Sequence, residues 1–78
     1  MKYSWIPPKG KVGEIWNYRT ERRGHQIVVG EIHRVETRYH FLNGTSWHSY
    51  DMMRKNPITG MFFHDYISET NLYSKVEQ

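Results

Sequence analysis

The sequence predicts a small all-β domain, and three features of its composition support that prediction. The 78 residues include no alanine and only two leucines, the best apolar helix formers. Five Val, six Ile, five Thr and 12 aromatic side chains suit the half-buried surface of a sheet. A chain this short holds one domain with a small core, and its lack of cysteine excludes disulfides, cysteine zinc sites and thiol catalysis.

The chain opens with an N-terminal arm, residues 1–11, which a Pro-Pro pair and Gly10 predict to be extended and to end in a turn. The apolar residues of the arm are expected to pack back on the body. A first strand is predicted over residues 12–19, with Trp16 and Tyr18 on one face.

The strongest strand prediction covers residues 26–36. Both of its faces are apolar, and we therefore expect the strand to curve and to serve two halves of a barrel. Its interior glycine suggests a bulge or bend. A chain reversal is predicted over residues 34–38. The two faces carry Ile27 and Val29 on one side, and Val28, Gly30 and Ile32 on the other.

Asn43-Gly44 is the clearest turn signal, since this dipeptide favours a two-residue type I′ hairpin. Such a turn pairs His40 with Trp47 and Tyr39 with His48. The pattern does not decide which face is the core. One face would carry Arg38, His40, Leu42, Thr45 and Trp47, and the other Tyr39, Phe41, Ser46 and His48.

Beyond the hairpin, residues 49–54 are predicted to form one helical turn with Ser49 as its N-cap. A last strand follows over residues 61–67. Residues 68–78 form a polar tail, predicted as a short helix or an extra edge strand. The resulting division is an arm at 1–11, a barrel at 12–67 and a tail at 68–78.

This order of short strands, with a helical turn before the last one, resembles an SH3-like small barrel in its KOW or Tudor-like forms. The likeness covers roughly residues 11–67. The oligonucleotide-binding barrel is the competing fold, although it usually needs a longer chain. The chain is also similar to the small accessory proteins of bacteriophages, which often use single barrels of this size. The residues that carry the likeness are Gly13-Glu14-Ile15-Trp16, Ile27 to Ile32, and Ser46-Trp47-His48-Ser49 running into Tyr50 to Arg54.

The sequence offers little support for a metal site or for catalysis. Its five histidines lie seven or more residues apart, without the close local spacing common among zinc ligands. Ser46, His48, Ser49 and Asp51 are neighbours in sequence, but adjacent residues of a strand point apart. No nucleophile elbow, phosphate loop or paired-carboxylate motif is present. We therefore expect no enzymatic activity and no cofactor.

Charge and aromatic content give the functional hypothesis. The net charge is +3, with ten basic and five acidic side chains in residues 1–55. A small barrel cannot bury 12 aromatics, so some should be exposed beside arginines, as in stacking or interface sites. The partner-binding candidates are Arg19, Arg22, Arg23, Arg38, His40, Trp47, Tyr50, Arg54 and Lys55.

We therefore predict a non-enzymatic binding module, of the kind that a phage regulator or inhibitor would be, docking on a host protein of nucleic-acid machinery such as a polymerase, nuclease or defence complex. Direct RNA or DNA binding and a structural virion role are the alternatives. A homodimer is a further expected form, since so small a core gains from association. With no export signal and no long apolar run, we expect a cytoplasmic protein that does not enter membranes.

Overall fold

The computed structural model describes residues 6–21, 24–40, 42 and 44–77, and these residues form five strands and one 3₁₀ turn. The turn, Glu69–Asn71, stands directly before the last strand. The prediction of an all-β fold with one helical turn before the final strand is therefore confirmed, although the turn lies at residues 69–71 and not at the predicted residues 49–54. The strands are β1 (Ile15–Arg19), β2 (Ile27–His40), β3 (Thr45–Lys55), β4 (Phe62–Ser68) and β5 (Leu72–Lys75).

The strands form one antiparallel sheet in the order β4-β3-β2-β1-β5. The final strand crosses over to pair with β1, Trp16 opposite Lys75 and Tyr18 opposite Leu72. Residues 68–78 were predicted to form a short helix or an extra edge strand. They contain both a 3₁₀ turn and the edge strand β5, so the sheet extends past residue 67.

Two local predictions are wrong. Residues 49–54 belong to β3 and form no helical turn, because this segment pairs with β2 on one side and with β4 on the other. Residues 34–38 do not reverse the chain, because β2 continues without interruption to His40. In both cases long-range strand pairing overrides a local signal.

The core contains seven buried apolar side chains, with the half-buried Val28 and Val35 packed against them. The predicted faces of the first two strands are confirmed, since Trp16 is buried in β1 and Ile32 in β2. On the other face of β2, Ile27 and Val29 are exposed, so the prediction that both apolar faces of this strand are buried in two halves of a barrel is wrong here. The core residues are Trp16, Tyr18, Ile32, Tyr50, Met52, Ile67 and Leu72.

A bulge in β2 decides which residues face outward. Ile32 lies opposite Met52 and Arg34 lies opposite Asp51, so His33 is an extra residue in the ladder. Side chains alternate along a strand, and one extra residue exchanges the faces. Beyond the bulge Val35 therefore packs on the core, while Arg34 points outward.

The β2–β3 hairpin keeps its predicted faces but not its predicted turn. His40 lies opposite Thr45 and Arg38 opposite Trp47, which leaves residues 41–44 in the loop instead of two residues. This register differs from the predicted one by two, an even number, so Arg38 and Trp47 share one predicted face, and Tyr39, Ser46 and His48 share the other. Of the predicted turn, Asn43 lies outside the described residues and Gly44 has a φ of 67°.

The structure also shows which face of the hairpin is the inner one. His48 is buried and bonds the arm, so the face that it shares with Ser46 is the inner one at this point, whereas Tyr39, further along the same face, is 50% exposed. The face with Arg38 and Trp47 turns to solvent. No helix in the described part of the chain is long and apolar enough to cross a membrane.

Candidate functional site

The outer half of the β2–β3 hairpin extends beyond the rest of the sheet. Residues 37–40 of β2 pair with residues 45–48 of β3 and with no other described strand. Four residues of strand correspond to a projection of roughly 13 Å. We call this element the projecting hairpin.

The projecting hairpin brings three of the nine predicted site residues together. Arg38 and Trp47 are direct cross-strand neighbours on the outer face, and Trp47 exposes 46% of its surface. The backbone of His40 pairs with Thr45, two pairs further along the hairpin. Arginine and tryptophan are among the residue types enriched at the energetic centres of protein interfaces, and an arginine can also stack on a tryptophan ring.

The N-terminal arm supports the projecting hairpin from behind. The imidazole of His48 bonds the carbonyl oxygen of Ile6 through Nε2, at 2.6 Å, and Thr37 Oγ1 through Nδ1, at 2.8 Å. The amide of Ile6 donates to Ser46 Oγ at 3.4 Å. Because two-stranded hairpins alone are marginally stable in water, this contact explains how the projection keeps its shape. The backbone of the arm thus contacts the hairpin at Ile6, although the Ile6 side chain is 55% exposed, and the other predicted packing residues, Tyr3 and Trp5, lie outside the described residues.

Tyr50 is not an exposed binding residue, and that prediction is wrong. It is 1% exposed and lies in the core. Its hydroxyl donates to Glu69 Oε2 at 2.5 Å and accepts the amide of Gly10 at 3.1 Å. Burial, together with the Glu69 carboxylate, raises the pKa of Tyr50 to about 12. The residue therefore anchors the arm to the sheet.

Arg54 also turns inward. Its Nε donates to Asp65 Oδ2 at 2.7 Å, and its guanidinium lies 5.2 Å from the centre of the Phe63 ring. The bond to Asp65 raises the pKa of Arg54 further above its usual range. Only about a quarter of the side chain is exposed, and its charge is already compensated by that of Asp65. The partner-binding role of Arg54 therefore stays a prediction, for a guanidinium that already pairs with Asp65.

The remaining predicted residues do not join the projecting hairpin. Lys55 is exposed at the opposite end of β3, eight residues from Trp47 and so roughly 26 Å along the strand. Arg19 is exposed at the end of β1, opposite Ile27. Arg22 and Arg23 lie outside the described residues. The sequence therefore predicted a single binding patch. In the structure, the projecting hairpin forms one site, and the basic side chains of Arg19 and Lys55 lie away from it.

The outer face of the sheet carries both signs of charge. Arg34 and Glu36 lie 3.8 Å apart on β2, immediately before the projecting hairpin. Nearer the middle of the sheet, Asp51 Oδ1 bonds His64 Nδ1 at 2.8 Å, and the His33 ring packs edge-on against His64. No group of three His, Cys, Asp or Glu side chains in the described ranges could hold a metal ion. The face presents alternating charges and not a continuous basic track.

Glu14, directly before β1, connects the beginning of this strand to β5, a role that was not predicted from the sequence. Its carboxylate accepts from Lys75 Nζ at 2.9 Å, from the Lys11 amide at 2.7 Å and from Trp16 Nε1 at 3.2 Å. The bond to Lys75, followed by those to Lys11 and Trp16, lowers the pKa of Glu14 from 4.5 to about 2. The same ion pair borders a shallow depression between β1 and the residues after β5.

We expect acid to weaken this end of the sheet, and Glu14→Gln to remove part of that effect. Because the folded pKa lies below the unfolded one, the stabilisation from Glu14 is present above pH 4.5 and is lost as the pH falls toward 2. Urea titrations between pH 2 and 7 should show a shallower acid decline for the variant. A parallel decline in both proteins would contradict this role, and Glu36→Gln is the exposed control.

Comparison with models of protein families, with curated proteins and with solved structures found no match for this chain. The class of protein is therefore defined by the structure alone. It is a small all-β domain whose sheet carries a projecting hairpin with Arg38 and Trp47 on its open face.

Proposed function

We propose that this chain is a non-enzymatic binding module that docks on a protein partner through the outer face of the projecting hairpin. The supporting observation is the exposed pair of Arg38 and Trp47, held on a projection that the arm supports from behind. A rigid tryptophan beside an arginine loses little conformational entropy on binding, and such residues supply much of the energy at protein interfaces.

We infer an SH3-like barrel for the fold. The supporting features are that β1 pairs with both β2 and β5, that β2, β3 and β4 follow as a meander, and that a 3₁₀ turn precedes β5. The resemblance to bacteriophage accessory proteins gives the partner class to test first. That class is a host protein of nucleic-acid machinery, which this chain would regulate or inhibit.

The charge pattern favours a protein over a nucleic acid as partner. Glu36 stands between Arg34 and Arg38 on the same outer face, and Asp51 lies opposite Arg34. A phosphate backbone would be repelled by these carboxylates, whereas a protein surface with mixed charges can pair with both signs.

The test is a pull-down from bacterial lysate with the whole chain, comparing the wild type with Trp47→Ala and Arg38→Glu. We expect a stoichiometric partner whose affinity falls about 10-fold or more in each variant, as for central interface residues. Tyr73→Ala is the control, because Tyr73 is an exposed aromatic on β5, outside the hairpin. Equal capture by all four proteins, or capture of no partner, would contradict the proposal.

Direct nucleic-acid binding is the second candidate, because a base can stack on Trp47 while Arg38 contacts a phosphate. Fluorescence anisotropy with single- and double-stranded DNA and RNA at low salt distinguishes the two. Binding that falls steeply with salt and is lost in Trp47→Ala would favour the nucleic acid. If the anisotropy does not change with any of these nucleic acids, binding to a protein partner remains the proposed function.

A further inference from the structure

The two edges of the sheet differ in how they are protected. At the β5 edge the strand has four residues, Lys75 lies on it, and the Leu72 carbonyl oxygen accepts a bond from Lys9 Nζ at 2.9 Å. Lysines and short strands are the usual means by which sheets prevent edge pairing. The other edge, β4, has seven residues and carries no lysine, arginine or proline.

Two hydrogen bonds show which backbone groups of β4 point away from β3. The amide of Asn56 bonds the carbonyl oxygen of Met61 at 2.7 Å, so residue 61 faces β3. The amide of Ser68 bonds Glu21 Oε2 at 3.0 Å, so residue 68 faces away. Because both backbone groups of a residue point to one side and the side alternates, Phe62 and Tyr66 present their N–H and C=O to the open edge.

The side chains of the same two residues are exposed aromatics. Phe62 is 58% exposed and Tyr66 is 72% exposed, both on the outer face of the sheet. The only charged side chain on the strand other than His64 is Asp65, which points inward and is buried. The exposed side chains of this edge are therefore the aromatic rings of Phe62 and Tyr66, with the His64 imidazole, bonded to Asp51, between them.

We propose that the β4 edge binds the β4 edge of a second copy of this chain, antiparallel and about a two-fold axis at residue 64. In this register each Phe62 lies opposite the Tyr66 of the other copy. Each such pair exchanges two backbone hydrogen bonds and stacks two aromatic rings on the same face. The two sheets then form one continuous sheet.

The pattern of the strand favours a second copy as the occupant and selects this register. An axis at residue 65 would place two Asp65 carboxylates opposite each other and would need the Ser68 amide that Glu21 holds. An axis at residue 64 avoids both; it places the two His64 residues opposite each other, each bonded to Asp51 of its own copy, and its aromatic pairs form twice because the interface is isologous. This inference does not depend on the proposed function, since the projecting hairpin lies at the far end of β3.

The interface involves one strand from each chain, so the dimer is weak, with a dissociation constant on the order of 100 µM. Sedimentation velocity across that range should show the weight-average mass rising toward the dimer for the wild type. Tyr66→Lys should stay monomeric at every concentration. Tyr73→Lys, a matched change at the protected edge, should behave as the wild type does.

A wild type that stays monomeric throughout overturns the proposal, as does a dimer lost in Tyr73→Lys but kept in Tyr66→Lys. Amide hydrogen exchange by NMR gives an independent test on the unmodified chain. The amides of Phe62 and Tyr66 should become protected as concentration rises, whereas those of Phe63 and Ile67, which face β3, should be protected at every concentration. Protection of Phe62 and Tyr66 that does not change with concentration also overturns it.

Discussion

Replacing Asp65 with alanine is expected to lower the free energy of unfolding by about 3 kcal/mol, the largest effect of any single change discussed here. Asp65 is 2% exposed, and its Oδ2 accepts from the Tyr18 hydroxyl at 2.6 Å and from Arg54 Nε at 2.7 Å. Burial and the Asp65 carboxylate together raise the pKa of Tyr18 above its usual range, so its hydroxyl stays a donor. Alanine would leave both donors unpaired.

The measurement is urea unfolding of the wild type, Asp65→Ala and Asp65→Asn. The amide of asparagine can still accept from one donor, so this variant should lie between the other two. Because a domain of this size has a total stability of only roughly 5 kcal/mol, Asp65→Ala should keep only about 2 kcal/mol and should unfold at less than half the urea concentration that the wild type needs. If Asp65→Ala were as stable as Glu36→Gln, an exposed carboxylate change, the buried network would not stabilise the fold.

Gly30→Ala is expected to cost about 2 kcal/mol because the new methyl group has no room. A Cβ at residue 30 would lie 2.9 Å from Tyr18 Cε1 and 3.0 Å from the carbonyl oxygen of Met53. One of these atoms belongs to the backbone, and the other to a ring whose hydroxyl is held by Asp65. Neither neighbour can move without breaking a hydrogen bond or a strand pair.

The control for Gly30→Ala is Val29→Ala, the preceding residue on the exposed face of β2. That change should alter the midpoint of thermal unfolding by much less, because it removes only half-exposed apolar surface. Gly30→Ala should shift the midpoint downward by about 10 °C, as a loss of this size does in a small domain. Equal shifts in the two variants would show that the contact with Tyr18 is not restrictive.

Gly30 shows which features of β2 the sequence predicts and which it does not. The interior Gly30 predicted a bulge or a bend in β2. A bulge is present, but it lies at His33. Gly30 itself lies in regular strand and makes room for the Tyr18 ring. The close approach comes from a neighbouring strand, and no pattern within β2 contains that information.

The candidate site shows the same limit. Trp47 and Tyr50 are both aromatics of β3, and both were expected to be exposed. They lie three residues apart, so a strand must place them on opposite faces, whereas the predicted helical turn at residues 49–54 removed that constraint. Assigning residues 49–54 to β3 would have placed Trp47 and Tyr50 on opposite faces of the sheet. It would not have shown which of the two is buried.

Composition and alternation determined the fold class, the inward faces of β1 and β2 and the grouping of Arg38 with Trp47 on one face of the hairpin, because these depend on periodicity along a strand, whereas the pairing register across the hairpin did not follow from the sequence. Tertiary structure decided the rest. The extra residue at His33 exchanges the faces of β2, and the buried Asp65 joins β1 to β3. The arm covers one side of the projecting hairpin and leaves Trp47 on the other. Each of these depends on contacts between residues far apart in the chain, which local patterns do not encode.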